Sequence, residues 1–314
     1  MKTAPPILRL SDLHVRHGAA VAVQGLTTTV HPGEVVGLIG PDGAGKTSTL
    51  RVAAGLQRAD SGTVEAFGAD VWTHRRLLHH RLGYLAQRFA LYGDLTVDEN
   101  IRFFALLLGV AKWRARRDML LERVELTPFR YRPADRLSGG MKQKLALACA
   151  LMHSPEFLIL DEPTTGVDPV TRREFWRLLG ELVAEGMTLL VATPYLDEAE
   201  RCSRVILMHQ GSALADAPPR ALAAQVPGTM VEVAATPRSL ASRVLESHPT
   251  VRGLAAFSDR FHARLDAGPA AVETIRDALL QAGVFVSDIR PIPAGLEDAY
   301  LFLTGAPPRP LEAP

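Results

Sequence analysis

Three short strings in this 314-residue chain carry residue types at spacings that can do chemistry. Gly40-Pro41-Asp42-Gly43-Ala44-Gly45-Lys46-Thr47 fits G-x-x-x-x-G-K-[ST], a loop whose glycines let successive N–H groups and the following helix N-terminus face phosphate oxygens. Lys46 supplies the matching positive charge, Thr47 a hydroxyl for Mg²⁺, and Ser48 a contact to a phosphate oxygen. Taken alone, this string says only that a nucleotide binds. Leu137-Ser138-Gly139-Gly140-Met141 leads into a helical pattern, so Ser138, Gly139 and Gly140 present a second anion-facing helix terminus. Phe157-Leu158-Ile159-Leu160-Asp161-Glu162-Pro163 is an apolar run that ends in two adjacent carboxylates, of which Asp161 is suited to hold Mg²⁺ through its water shell.

These strings need a scaffold, and the hydrophobic pattern supplies one. Residues 7 to 36 alternate apolar and polar positions across turn signals at Arg16-His17-Gly18 and His31-Pro32-Gly33, which predicts antiparallel strands. Val35 to Ile39 is an apolar run leading into the glycine loop, and Lys46 to Leu56 follows with helical spacing. That strand-loop-helix context is what a phosphate loop requires. Gly62 to Val71 reads as a hairpin, and a short strand from Leu82 to Ala86 runs up to Gln87. Thr96-Val97-Asp98-Glu99 fits a capping box, with Ile101, Phe104, Ala105 and Leu108 recurring on one face behind it. A second helix, Trp113 to Val124, carries Arg114, Arg116 and Arg117, expected to form a solvated face. Then come a helix from Gly140 to His153, the strand Phe157 to Leu160, a helix from Val170 and the strand Met187 to Thr193. Alternating β and α segments at this spacing predict a mainly parallel sheet covered by helices.

The composition shifts near Pro227-Gly228, which places a domain boundary there. Residues 230 to 289 read as β-α-β-β-α-β, a small ferredoxin-like unit. The proline-rich stretch from Ala306 is expected to fray.

Bulk properties exclude more than they identify. With 47% apolar and 22% charged residues the chain is an ordinary globular sequence, and a net charge of +1 gives no electrostatic case for nucleic acid. Five lysines stand among 35 basic residues, a bias read as coding preference. Cys149 and Cys202 fall in helical patterns and are expected as buried, reduced thiols. No run of 18 apolar residues exists, so a membrane role must come through a partner.

An LSGG string lying between a phosphate loop and an apolar strand ending in Asp-Glu resembles the ATP-binding subunit of ABC transporters. The Leu296-Glu297-Asp298-Ala299-Tyr300 tail and the stretch from Asp197 to Arg204 resemble the ABC-2-type drug-exporter branch. The resemblance implies an α/β P-loop ABC ATPase with a mainly parallel sheet and an N-terminal antiparallel β subdomain. It places a helical subdomain at about 90–153 within an ATP-binding domain 7–228, then a C-terminal α+β accessory domain 229–306 and a flexible tail 307–314. It makes Glu162 the general base, Gln87 the glutamine that touches Mg²⁺ and couples the site to the membrane partner, and Pro163 to Asp168 the loop that follows the base. It further implies ATP and Mg²⁺ as cofactors and two cassettes that sandwich nucleotide between the phosphate loop of one and the signature of the other. That pair is a homodimer or a heterodimer with another ABC ATPase subunit. The remaining partner is an ABC-2-type membrane permease, with the chain peripheral on the cytoplasmic face of the inner membrane and no nucleic acid bound.

Two positions depart from the family pattern. His17 stands where the family places an aromatic residue against adenine; an imidazole can stack there, or His17 is a turn residue. In Thr193-Pro194-Tyr195-Leu196-Asp197-Glu198-Ala199-Glu200, Pro194 replaces the histidine that contacts the γ-phosphate, and proline has neither a titratable side chain nor an N–H. His153 and His209 lie in other segments and read as surface histidines. The leading expectation is an exporter ATPase moving a drug or small molecule. The alternatives are a catalytically degenerate regulatory subunit, which Pro194 keeps open, and a soluble ABC ATPase acting on ribosomes or DNA. The last class usually carries two cassettes or a long coiled-coil insertion, and neither appears in this sequence.

Overall fold

The computed structural model describes residues 4–305 except 88, 89, 258 and 267, so the expected tail 307–314 lies outside the described residues. Alternating burial along β1 (Leu8–His17) and β2 (Ala20–Val30) pairs them antiparallel, one face inward. The chain then passes through β3 (Val35–Ile39) and α1 (Lys46–Ala53) before β4 (Ser61–Ala66) returns to the other edge of β1. With β5 (Ala69–Asp70) this makes a four-stranded sheet in the order β2-β1-β4-β5.

Short α2 (Arg75–Leu78) precedes β6 (Leu82–Leu85). A helical layer follows, built from α3 (Val97–Leu107), α4 (Trp113–Arg123) and α5 (Gly139–Ala150), which pack on one another. The capping box at its start is present: Thr96 Oγ1 accepts from Glu99 N at 3.2 Å and Glu99 Oε2 accepts from Thr96 N at 2.8 Å. The chain continues through β7 (Phe157–Asp161), α6 (Pro169–Ala184), β8 (Thr188–Thr193), α7 (Leu196–Ala199), β9 (Arg204–His209) and β10 (Ser212–Ala217). The second sheet has the order β10-β9-β3-β8-β7-β6, parallel from β9 to β6 with β10 antiparallel at its edge. Every residue of β7 and β8 is buried, as expected of strands covered on both faces. A continuous core joins the two sheets and α1, with Leu10, Leu13, Leu38, Leu50, Phe157 and Ile206 nearly inaccessible.

The arginines of α4 are not the solvated face that their charge suggests. Arg116 Nη2 donates to Leu151 O at 3.0 Å, at the C-terminal end of α5, and Arg117 Nη1 donates to Asp98 Oδ2 at 2.9 Å. A helix C-terminus and a half-buried carboxylate both favour a cation, so two of these side chains turn inward. Arg114 lies with its guanidinium 4.8 Å from the Trp113 ring centroid.

The second compact unit begins at Pro218, about ten residues before the composition shift at Pro227-Gly228. Its first helix, α8 (Pro219–Ala223), packs with its last, α11 (Leu296–Thr304), which assigns that segment to this unit. Between them lie β11 (Thr229–Thr236), α9 (Arg238–Ser247), β12 (Val251–Phe257), β13 (Arg260–Leu265), α10 (Pro269–Gln281) and β14 (Phe285–Ile292). The antiparallel order β12-β13-β11-β14 is the ferredoxin-like arrangement, its core built by Val231, Val233, Leu245, Phe261, Ile275 and Leu279.

Candidate functional site

The loop between β3 and α1 is held against the antiparallel sheet. Gly45 has φ +102°, and a Cβ there would lie 2.2 Å from Ala22 O, so only glycine fits. Ala44 N donates to Pro41 O at 3.1 Å, which tightens the turn. Lys46, only 4% exposed, donates to Gly40 O at 2.8 Å and Pro41 O at 3.1 Å, and its Nζ lies 3.3 Å from Glu162 Oε1. The cation of the loop is thus already paired with the carboxylate just past the end of β7, two strands away from β3 in the sheet.

Asp161 and Glu162 take different partners. Asp161 Oδ1 accepts from Thr47 Oγ1 at 2.9 Å and its Oδ2 from Tyr84 Oη at 3.1 Å. Burial pushes its carboxyl above the ordinary value, against the lowering effect of those two hydroxyls. Burial beside Asp161 likewise raises the Tyr84 phenol. Glu162 sits at φ +49°, rare for a non-glycine residue, with its N–H bonded to Ala192 O at 2.9 Å. Its Oε2 accepts from Gln87 Nε2 at 2.8 Å and from Thr165 Oγ1 at 3.2 Å. Gln87 therefore reaches the expected base rather than Thr47 or Asp161. His17 Nε2 lies 2.9 Å from Ser48 Oγ at the rim.

These groups surround one pocket of about 440 Å³, lined by His17, Asp42, Gly43, Gly45, Lys46, Thr47, Ser48, Gln87 and Glu162. Beneath it, the Thr47 hydroxyl and the Asp161 carboxylate are hard oxygen donors that suit Mg²⁺. Among the described residues no group of three or more His, Cys, Asp or Glu side chains could hold a metal by itself. Such an ion would complete its shell with phosphate oxygens and water.

The remaining expected residues gather elsewhere. Ser138 caps α5, accepting from Met141 N at 3.2 Å. A Cβ on Gly140 would lie 2.2 Å from Thr171 Cγ2, so the glycine lets α5 approach α6. Asp168 caps α6, accepting from Thr171 Oγ1 at 2.6 Å and from Val170 N and Thr171 N at 3.0 Å. The Thr171 hydroxyl and those N–H groups hold its carboxyl below the usual range. Ser138, Gly139, Gly140 and Asp168 do not line the Lys46 pocket. The expected site residues thus fall into two separate groups on one chain, one around Lys46 and one at the start of α5 and α6.

Pro194 follows β8 and brings no donor toward Glu162. His153 is half-buried rather than on the surface: it lies 3.1 Å from Leu82 O, and burial lowers its pKa. His209 is likewise half-buried, within β9. Sequence reasoning missed Tyr84, Thr165 and Glu198. Tyr84 is aligned with Ile159, two residues before Asp161, a register that only strand order reveals.

Residues 23–165 match the family model described as ABC transporter. The chain is 36% identical over 305 residues to the daunorubicin resistance ATP-binding protein DrrA2 of Streptomyces coeruleorubidus, covering 95% of each. It is 37% identical to the Nod factor export ATP-binding protein I of Paraburkholderia xenovorans (strain LB400), covering 92% of this chain and 94% of that one. Identity reaches 49% with the probable multidrug ABC transporter ATP-binding protein YbhF of Escherichia coli (strain K12), over 66% of this chain but only 36% of YbhF. The chain thus spans about a third of that relative. A solved ATP-binding subunit of an ABC transporter superposes with a TM-score of 0.64 at 29% identity, covering 70% of this chain and 92% of that one.

Proposed function

The chain belongs to the ATP-binding proteins of ABC transporters, and from that premise we propose that it binds and hydrolyses MgATP to power an ABC-2-type exporter. One observation carries this reading. Lys46, Gln87 and Glu162 converge on a single pocket at the phosphate loop, while the Ser138-Gly139-Gly140 helix terminus lies outside it. A site divided in this way is completed by a second cassette, whose signature donors would face the phosphate held here.

Lys46 is paired with Glu162 and two loop carbonyls. Nucleotide phosphates compete for that ammonium, with the loop N–H groups behind it. Glu162, released from Lys46 but still bonded to Gln87 and Thr165, is then placed to accept a proton from the attacking water. Bound Mg²⁺ at Thr47 and Asp161 would neutralise phosphate charge. His17 would lie beside the base, against which an imidazole can stack.

No helix among the described residues is long and apolar enough to cross a membrane. We assign membrane attachment, on the cytoplasmic face, to a polytopic ABC-2-type permease. The relatives' names point to exported drugs and other small molecules as the cargo class. Pro194 favours a second reading, a slow subunit that pairs with a histidine-bearing homologue and contributes its intact signature to that homologue's active site. Fractionation tests the placement: the chain should pellet with membranes only when a cognate permease is co-expressed. Pelleting without one would refute attachment through the permease.

A further inference from the structure

One buried carboxylate beside the site has no role in the account above. Glu198, in α7, is 1% exposed. It accepts from Thr164 Oγ1 and, at 2.6 Å, from Thr193 Oγ1, and its Oε1 lies 3.6 Å from Arg172 Nε. The three partners come from three segments. Thr164 stands two residues after Glu162, Thr193 immediately before Pro194, and Arg172 one turn beyond Asp168 in α6. Arg172 also lies 3.9 Å from the centroid of the Tyr195 ring, which closes the circle around Pro194.

A buried carboxylate is costly unless it is paired and hydrogen-bonded, and an apolar side chain would fill the same space without that cost. What a carboxylate adds is two oxygens that can each accept from a different segment. The geometry points to Glu198 as a positioning residue for hydrolysis, one that holds the loop carrying Glu162 in register with the segment at Pro194. Glu162 adopts a backbone conformation that non-glycine residues visit rarely, so it must be fixed from both sides. Asp161 anchors it on the β7 side, and the Thr164–Glu198 bond anchors it on the other. With proline at 194 there is no side-chain donor from that segment to Glu162. The Thr193–Glu198–Thr164 path links the two segments instead.

This inference rests on the hydrolysis reading, and its test separates the two. Glu198→Gln keeps size but turns one acceptor into a donor, so one threonine hydroxyl loses its acceptor and Arg172 the buried one of its two carboxylate partners, keeping the exposed Asp197 at 3.8 Å. Steady-state ATPase assays well below the unfolding midpoint should show kcat down by about tenfold or more, the scale of a lost bond to a charged group. KM for MgATP, and binding of a non-hydrolysable analogue, should stay within about twofold, as expected when an interaction serves the transition state alone. Glu198→Asp should restore part of the rate. Thr164→Val and Thr193→Val should each lower kcat at constant KM and add little to Glu198→Gln, because all three break one unit. An unchanged kcat in Glu198→Gln, or a loss that merely tracks the unfolded fraction, overturns the proposal. If Glu198→Gln does not fold, unchanged kcat in both threonine variants overturns it equally. A wild-type rate that Glu162→Gln leaves untouched overturns the hydrolysis reading itself, and this inference with it.

Discussion

Truncating Lys46 to alanine probes both the Lys46–Glu162 pair and the ligand it would bind. The ammonium is 4% exposed and meets Gly40 O, Pro41 O and Glu162 Oε1 at 2.8, 3.1 and 3.3 Å, while Glu162 is 7% exposed. In Lys46→Ala the carboxylate keeps Gln87 and Thr165 but loses its counter-charge. Breaking a buried pair costs about 3–5 kcal/mol. Because two hydrogen bonds to Glu162 survive and the pair borders an open pocket, we expect a smaller cost, about 2–3 kcal/mol, in the nucleotide-free chain. At roughly 2–4 °C per kcal/mol for a unit of this size, the unfolding midpoint should fall by about 4–12 °C. Glu162→Gln removes the charge and keeps the shape, so Lys46→Ala should cost about 1–2 kcal/mol less in that background, a coupling read by a double-mutant cycle in urea. MgATP affinity should fall about 100-fold or more in either background, since the lost contact is charge-assisted and made to phosphate. Stability effects that add within about 0.5 kcal/mol would refute the Lys46–Glu162 pairing. An unaltered MgATP isotherm would refute the site.

Two further outcomes follow from the same geometry. Pro194→His should raise turnover of the purified chain by roughly 100- to 1,000-fold, the worth of one transition-state donor; a wild-type rate already typical of transporter ATPases and unmoved by this change would show that another group does that work. Asp161, whose carboxyl burial raises above 3.8, holds its proton more tightly folded than unfolded, so its contribution to stability declines as pH rises from that value through the raised one. Asp161→Asn should therefore raise the nucleotide-free midpoint at pH 7 and flatten its acid dependence while abolishing Mg²⁺-dependent binding, and a lower midpoint at pH 7 would contradict the burial argument.

The sequence by itself determined the chemistry that local order can encode. A phosphate loop is a contiguous string whose strand-loop-helix setting is written in hydrophobic periodicity, so Gly40 to Ser48 and the elements on either side were legible without coordinates. The same holds for the helix that Ser138 opens and for the β-α-β-β-α-β order after residue 229, because helix starts and periods act over a few residues; that Asp168 caps α6 came from the structure. Tertiary structure decided what depends on distant neighbours. Charge alone placed Arg116 and Arg117 in solvent; packing of α4 against α3 and α5 gave them Leu151 O and Asp98. The boundary moved to Pro218 because α8 finds α11, far away in sequence. Gln87 meets Glu162, Tyr84 meets Asp161, and Glu198 joins two threonines, one after β7 and one at the end of β8, only because the strand order brings β6, β7 and β8 side by side. Strand order is set by which faces bury together over the whole chain, and no window of sequence contains that information.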